Sequence, residues 1–303
     1  MIKKSFVLLA ALVVAVFTAT AASAQEVNSP IGAKHVVWIG ADGFGAHYVK
    51  WDELPTMKKM KNNGAWTLHM RSVLPSSSAI NWETMMVGVH SEAHGYRAWN
   101  SKKPDIEPTY VGPNGRFPDI FRVLKDNIPG CTTAVVYSWD GIGFLYDKEA
   151  VDSDEFFKGD DEAVFQKGKE FIASKPTFAF IYFGDPDRTG HAIGWGTPEY
   201  QETLKAMDVY ISGLLAAIEE AGIMDDTVVI FSSDHGGSEK GHGDARLDHM
   251  EVPFLIYGKG VKPGEITDTV VNFDLAPTIA WILGAKTPQA WRGLPVESAF
   301  ETK

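Results

Sequence analysis

The chain has 303 residues, 45% of them hydrophobic, which is enough for a sizeable packed core and excludes a disordered polymer. Its 39 Asp and Glu against 28 Lys and Arg give a formal charge of −11, an acidic balance that argues against a general nucleic-acid binder. Cys131 is the sole cysteine, so an internal disulfide is excluded and stability must come from the core.

The elements follow in chain order. Lys3 and Lys4 precede an apolar run over residues 6–17, and Ala22-Ser23-Ala24 stands before Gln25. That layout reads as a secretory signal peptide over residues 1–24, cleaved after Ala24, which predicts a periplasmic or secreted protein. The apolar core is too short to span a bilayer comfortably, and no later stretch is long and apolar enough to do so. Residues 35–40 (HVVWIG) read as a buried strand, as do 132–138, 177–183, 227–232 and 253–257. Their continuous apolarity suits a parallel sheet covered on both faces. Helical spacing appears over 117–125, 162–174, 198–221 and 274–283, with Pro198 suited to a first turn and Gly222 to a stop. Residues 100–116, rich in Pro and Gly, read as a surface loop. Cys131 opens an apolar run and reads as a small buried hydrophobe. Alternation of strand and helix predicts an α/β fold, a doubly wound and mainly parallel sheet flanked by helices, in one domain over residues 25–303.

In such sheets ligands bind beyond the carboxyl ends of the strands. Asp42 follows the first strand. Asp187 and His191 follow the strand at 177–183, and Asp234 and His235 follow the one at 227–232. Ser78 lies between the apolar start at 66–70 and a helical stretch. Each alone has an ordinary explanation, such as an Asp capping a helix. Together they are hard to explain as caps. Asp187 and His191 are four apart, on one face of a helical turn. Gly236 and Gly237 let the chain turn after Asp234 and His235. A mixed Asp and His set suits zinc, and two metals a few ångströms apart clamp both oxygens of a displacement at phosphorus.

The order ADG, a Ser before a helix, PDRTGH and SDHG resembles the alkaline phosphatase superfamily, most of all its nucleotide pyrophosphatase/phosphodiesterase-like branch. The resemblance runs from Val36 to about Gly284. It implies an alkaline phosphatase-like catalytic domain with two divalent cations, zinc in the family, and a small-molecule phosphate ester as substrate. It implies one cation on Asp42, Ser78, Asp234 and His235. A second falls to Asp187, His191 and a downstream histidine, for which His242 between glycines is preferred to His249. The family's nucleophile stands three residues before an Asn, so Asn81 selects Ser78 over Ser76 and Ser77. Asn100, after the HG of HSEAHGYRAWN, matches a phosphate-binding Asn with one extra residue of spacing, and Asn81 is a second candidate for substrate contact. Ala79-Ile80 replaces the family's Phe-Pro, which removes the aromatic that grips a base. Trp82, Tyr96 and Trp99 could supply another aromatic wall.

The expected reaction is phosphomonoester or phosphodiester hydrolysis through a phosphoseryl enzyme. A sulfatase is the nearest rival. It needs a C/S-x-P/A-x-R signature, which Ser77 and Ala79 begin but Asn81 breaks. A non-catalytic exported metal-binding module is the alternative of another class. The sequence leaves oligomeric state open.

Overall fold

A computed structural model describes residues 29–301. The expected signal peptide, residues 1–24, lies outside the described residues.

Eight strands form one sheet: β1 (His35–Ala41), β2 (Ala65–Arg71), β3 (Thr133–Tyr137), β4 (Ser153–Phe156), β5 (Phe178–Phe183), β6 (Thr227–Ser232), β7 (Glu251–Gly258) and β8 (Gly264–Glu265). Their order is β4-β3-β5-β1-β6-β7-β2-β8, and every strand runs parallel to the others except β7. The helices are α1 (Pro55–Asn63), α2 (Ser78–Val87), α3 (Ser91–His94), α4 (Ile120–Asn127), α5 (Asp161–Ala173), α6 (Asp187–Ala192), α7 (Pro198–Glu220), α8 (Leu247–Met250) and α9 (Leu275–Ile282).

The sheet is covered on both sides, as a parallel sheet requires. Successive residues of a strand point to opposite faces. In β1, Val36 and Trp38 therefore join the core under α2, α4 and α9, while Val37, Ile39 and Ala41 join the core under α1, α5 and α7. Trp38 stacks on Phe180 of β5, their ring centroids 3.9 Å apart. Burying whole tryptophan and phenylalanine side chains in this way stabilises by roughly 2–3 kcal/mol each. Cys131 is buried, and burial pushes its thiol up to about 11.

Two sequence expectations need correction. Residues 253–257 are buried, but their strand β7 is antiparallel to β6 and β2. The connection from β6 carries only the single turn α8 and no crossover helix of the kind that usually joins parallel strands. Continuous apolarity reports burial on two faces and carries no direction. The helix expected at 117–125 starts instead at Ile120, because Pro118 holds Phe117 out of helical geometry and Asp119 caps the helix, accepting from Arg122 N at 3.1 Å.

The register places the site. Ala41 of β1 lies opposite Phe183 of β5, and Gly40 lies opposite Ser232 of β6. The three central strands end level, so Asp42, residues 184–188 and residues 233–235 emerge side by side.

Candidate active site

Asp42 and Asp234 each use one carboxylate oxygen to fix themselves and leave the other open. Asp42 Oδ2 accepts from Trp82 Nε1 at 3.0 Å and from the Tyr182 hydroxyl at 2.5 Å, while its Oδ1 is buried without a hydrogen-bond partner. Gly40 makes this possible, since a Cβ there would come within 2.6 Å of the Trp82 ring. Asp234 Oδ1 accepts from Gly43 N at 3.1 Å, and its Oδ2 is buried and unpartnered. Asp187 Oδ1 is likewise unpartnered. Gly43, at φ +67°, lets the segment carrying Asp187 approach, because a Cβ there would meet Asp187 Cα at 2.8 Å.

The imidazoles are arranged the other way round. His235 Nδ1 donates to Gly236 O at 2.8 Å, His191 Nδ1 to Lys240 O at 3.0 Å and His242 Nδ1 to Ser76 O at 2.9 Å. A main-chain carbonyl is an obligate acceptor, so all three rings hold the tautomer with a proton on Nδ1 and a lone pair on Nε2. Those Nε2 atoms converge on the open carboxylate oxygens. His235 Nε2 is 3.2 Å from Asp234 Oδ2 and 3.4 Å from Asp42 Oδ1. His191 Nε2 and His242 Nε2 are 3.5 and 3.7 Å from Asp187 Oδ1 and 3.1 Å from each other.

This arrangement fits a pair of cations. Burial, then the charge of Asp42, pushes the carboxyls of Asp187 and Asp234 well above the usual range, and burial raises Asp42 too. Burial lowers His235 and His242 to about 3, so both rings stay neutral. Neutral nitrogens and crowded, unpartnered carboxylate oxygens at these separations are the donor chemistry of zinc. Asp187, His191 and His242 form one converging set, and Asp42, Asp187 and His235 a second. His249 is elsewhere: its Nε2 bonds Ser238 Oγ at 2.7 Å and its Nδ1 accepts from Asp244 N at 3.3 Å, so neither nitrogen is free.

Ser78 is the first residue of α2, and its Oγ is 3.3 Å from His235 Nε2. Asn81 does not face a substrate. It is fully buried, its amide donates to Val73 O, Pro75 O and Ser77 O, and its Oδ1 accepts from Val73 N and Asn272. It holds the segment that delivers Ser78. Asn100 is exposed and is not among the residues lining the cavity beside Ser78. Ala79 N donates to Trp99 O, and this bond sets the register so that Trp99, one residue earlier, lines the cavity instead.

Residues 36–251 match the profile of the family described as type I phosphodiesterase/nucleotide pyrophosphatase. The chain belongs to that family. A venom phosphodiesterase from Macrovipera lebetinus is 25% identical over 261 residues, covering 78% of this chain and 30% of the snake protein. The chain spans less than a third of the length of the curated relatives it matches. The murine ectonucleotide pyrophosphatase/phosphodiesterase 5, solved in an inactive form in complex with AMP, superposes with a TM-score of 0.70 at 14% identity, covering 88% of this chain and 100% of that one. A 2-O GAG sulfatase gives a TM-score of 0.71 at 14% identity, covering 89% of this chain and 75% of that one. These likenesses establish the alkaline phosphatase-like fold.

In this type I phosphodiesterase-family chain, the cavity beside Ser78 holds about 470 Å³ and is walled by Trp99, Trp139, Ser138, Gly184 and Arg188. Trp99 is 57% exposed. Arg188 is the sole Lys or Arg among the lining residues, and it is ion-paired to Asp161 at 2.7 Å and Asp185 at 2.9 Å. Sequence reasoning missed Tyr182 and the role of Trp82. Tyr182 sits inside an apolar strand and Trp82 inside a helix, where aromatic side chains read as core. Tyr96 is core, at 2% exposure. The other histidines stay apart: His47 and His69 bond Glu251, His90 bonds Glu92, His94 bonds Thr84 and His35 bonds Pro176 O. Arg97 is exposed and outside the cavity lining. Among the described residues no helix is long and apolar enough to cross a membrane.

Proposed function

We propose that the protein is a two-cation phosphodiesterase, periplasmic or secreted, that acts on small phosphodiesters through Ser78. One observation carries the reading: three imidazoles with Nδ1 committed to main-chain carbonyls turn Nε2 toward three carboxylates, each with a buried unpartnered oxygen, beside the Ser78 hydroxyl. Asp42, Asp234 and His235, with Ser78, would hold one divalent cation. Asp187, His191 and His242 would hold the other. Bound there, zinc supplies Lewis acidity to the hydroxyl and phosphoryl oxygens.

The chain's own residues do the rest. Ser78 Oγ, fixed at the start of α2, attacks phosphorus, and the ester bond to the leaving alcohol breaks as the serine–phosphorus bond forms. Water then cleaves that bond, releasing the monoester and restoring the hydroxyl. The positive end of α2 lies under the developing negative charge. Trp99 and Trp139 wall the space for the organic group and exclude water from that side.

The diester is favoured over the monoester for a specific reason. A monoester dianion needs an extra cation, and Arg188 is already matched by two carboxylates. Sulfate ester cleavage is disfavoured because Asn81, where the sulfatase signature needs Arg, is buried and committed to backbone.

A panel of aryl phosphodiester, aryl phosphate and aryl sulfate tests the reading, with Ser78→Ala as control. The diester should be cleaved fastest, and Ser78→Ala should keep one Asp187-site cation while losing at least ~1,000-fold in kcat. Undiminished turnover by Ser78→Ala removes the serine from the mechanism. Preference for the sulfate overturns the substrate class.

A further inference from the structure

Asp161 opens α5, a helix without any candidate cation ligand, yet its buried carboxylate is saturated largely by the segment that carries one of them. Its Oδ1 accepts from Ser138 Oγ at 2.5 Å and Gly184 N at 3.1 Å. Its Oδ2 accepts from Asp185 N at 3.1 Å and Arg188 Nη2 at 2.7 Å. Three of the four donors lie in residues 184–188, the turn from β5 into α6. That turn contains Asp187, and α6 has only six residues, His191 among them.

So short a helix holds no position by itself. The turn is gripped from the sheet side by Asp187 N donating to Asp42 O at 2.9 Å. Asp161 grips it from the opposite side. Asp185 closes the arrangement, bonding Arg188 at 2.9 Å and Thr189 N at 3.2 Å. The Asp161 carboxylate accepts no bond from Asp187 or His191, so any effect passes through the backbone of residues 184 and 185 and through Arg188.

We propose that Asp161 is a positioning residue for the Asp187, His191 and His242 cation site alone. The inference rests on the two-cation reading above. An amide cannot replace this carboxylate. If its oxygen faces Ser138 and Gly184, its NH2 confronts two N–H donors, and turning it over moves the conflict to the other pair. Partners that orient metal ligands in this way change metal affinity by roughly 10–100-fold when lost.

The test is competition between a chromophoric chelator and metal-free protein for Zn²⁺, with Co²⁺ for visible spectra, on wild type and Asp161→Asn. Wild type should bind two cations. The variant, shown folded by circular dichroism, should bind one cation with wild-type affinity and the second at least tenfold more weakly. Its single-cobalt spectrum should match that of His191→Ala. Excess Zn²⁺ should restore kcat while KM stays put. Two cations bound with wild-type affinity, or both weakened alike, overturn the proposal. A residual spectrum that matches Asp234→Ala does so too. A wild type without a second cation overturns the two-cation reading and this inference with it. If Asp161→Asn does not fold, Ser138→Ala removes one donor and keeps the charge. It should weaken the second cation severalfold and leave the first unchanged, and an unaltered second affinity refutes the role.

Discussion

Glu83 lies on α2, five residues beyond Ser78, with its Oε2 buried and without a hydrogen-bond partner. Burial pushes its carboxyl well above the ordinary 4.5, Arg116 pulls it back and Asp119 raises it further. The sign of the linkage follows. Below pH 4.5 both folded and unfolded chains hold the proton, and the buried neutral acid costs little. As pH rises the unfolded chain releases it first, so stability falls until the folded carboxyl also ionises. The slope is about 1.36 kcal/mol per pH unit while the folded acid stays protonated, which bounds the loss between pH 4.5 and 7 at about 3.4 kcal/mol. Glu83→Gln keeps the shape and removes the titration. Urea unfolding of wild type and variant should show near-equal stability at pH 4 and a more stable variant at pH 7, by no more than that bound. Cation binding cancels in the comparison, since Glu83 is not among the candidate ligands. A difference that does not change with pH, or a variant weaker at pH 7, refutes the account of Glu83 as a buried neutral acid.

Tyr182→Phe removes a donor from Asp42 Oδ2 and leaves Trp82 Nε1 alone to orient it. Zinc affinity at the Asp42, Asp234 and His235 site should fall roughly tenfold, read by chelator competition, with the other site unaffected. Trp99→Ala strips an exposed wall of the cavity. It should raise KM roughly tenfold for a bis-aryl phosphodiester and much less for a methyl aryl diester, in steady-state kinetics. On the proposed two-cation site, chelation would leave Asp42, Asp187 and Asp234 crowded without a counter-charge, so activity should vanish and Tm should drop. With free zinc at a thousandfold over Kd, each site contributes about 4 kcal/mol, and a calorimetric scan with and without chelator reads the sum.

The strands that bear the site were legible because each is apolar throughout, and only the chain entering and leaving a strand can carry charge. Asp42, Asp187, His191, Asp234 and His235 stood out against that background. Choosing Ser78 from three serines, and His242 over His249, drew on the resemblance. In the structure Ser78 Oγ lies beside His235 Nε2, and both ring nitrogens of His249 are bonded. Other features left no trace in the sequence. β4 reads SDEF, exposed throughout, at the edge of the sheet, where charged side chains guard the unpaired N–H and C=O groups. The direction of β7 depends on where its connection ends.

Trp99 shows the same limit at the site itself. The spacing after the HG element pointed to Asn100, but position there is set by one main-chain bond from Ala79. Main-chain acceptors have no identity in a sequence. All three site imidazoles are held by such acceptors, Gly236 O, Lys240 O and Ser76 O, so the tautomer that leaves Nε2 free is invisible until the backbone is folded. The carboxylates are the converse. Asp42 depends on Trp82 and Tyr182, and those side chains are visible but look like core. A motif therefore marks which residues could bind a cation. The fold decides which atom faces it, at Asp42, Asp234 and the three imidazoles by tying down the other one.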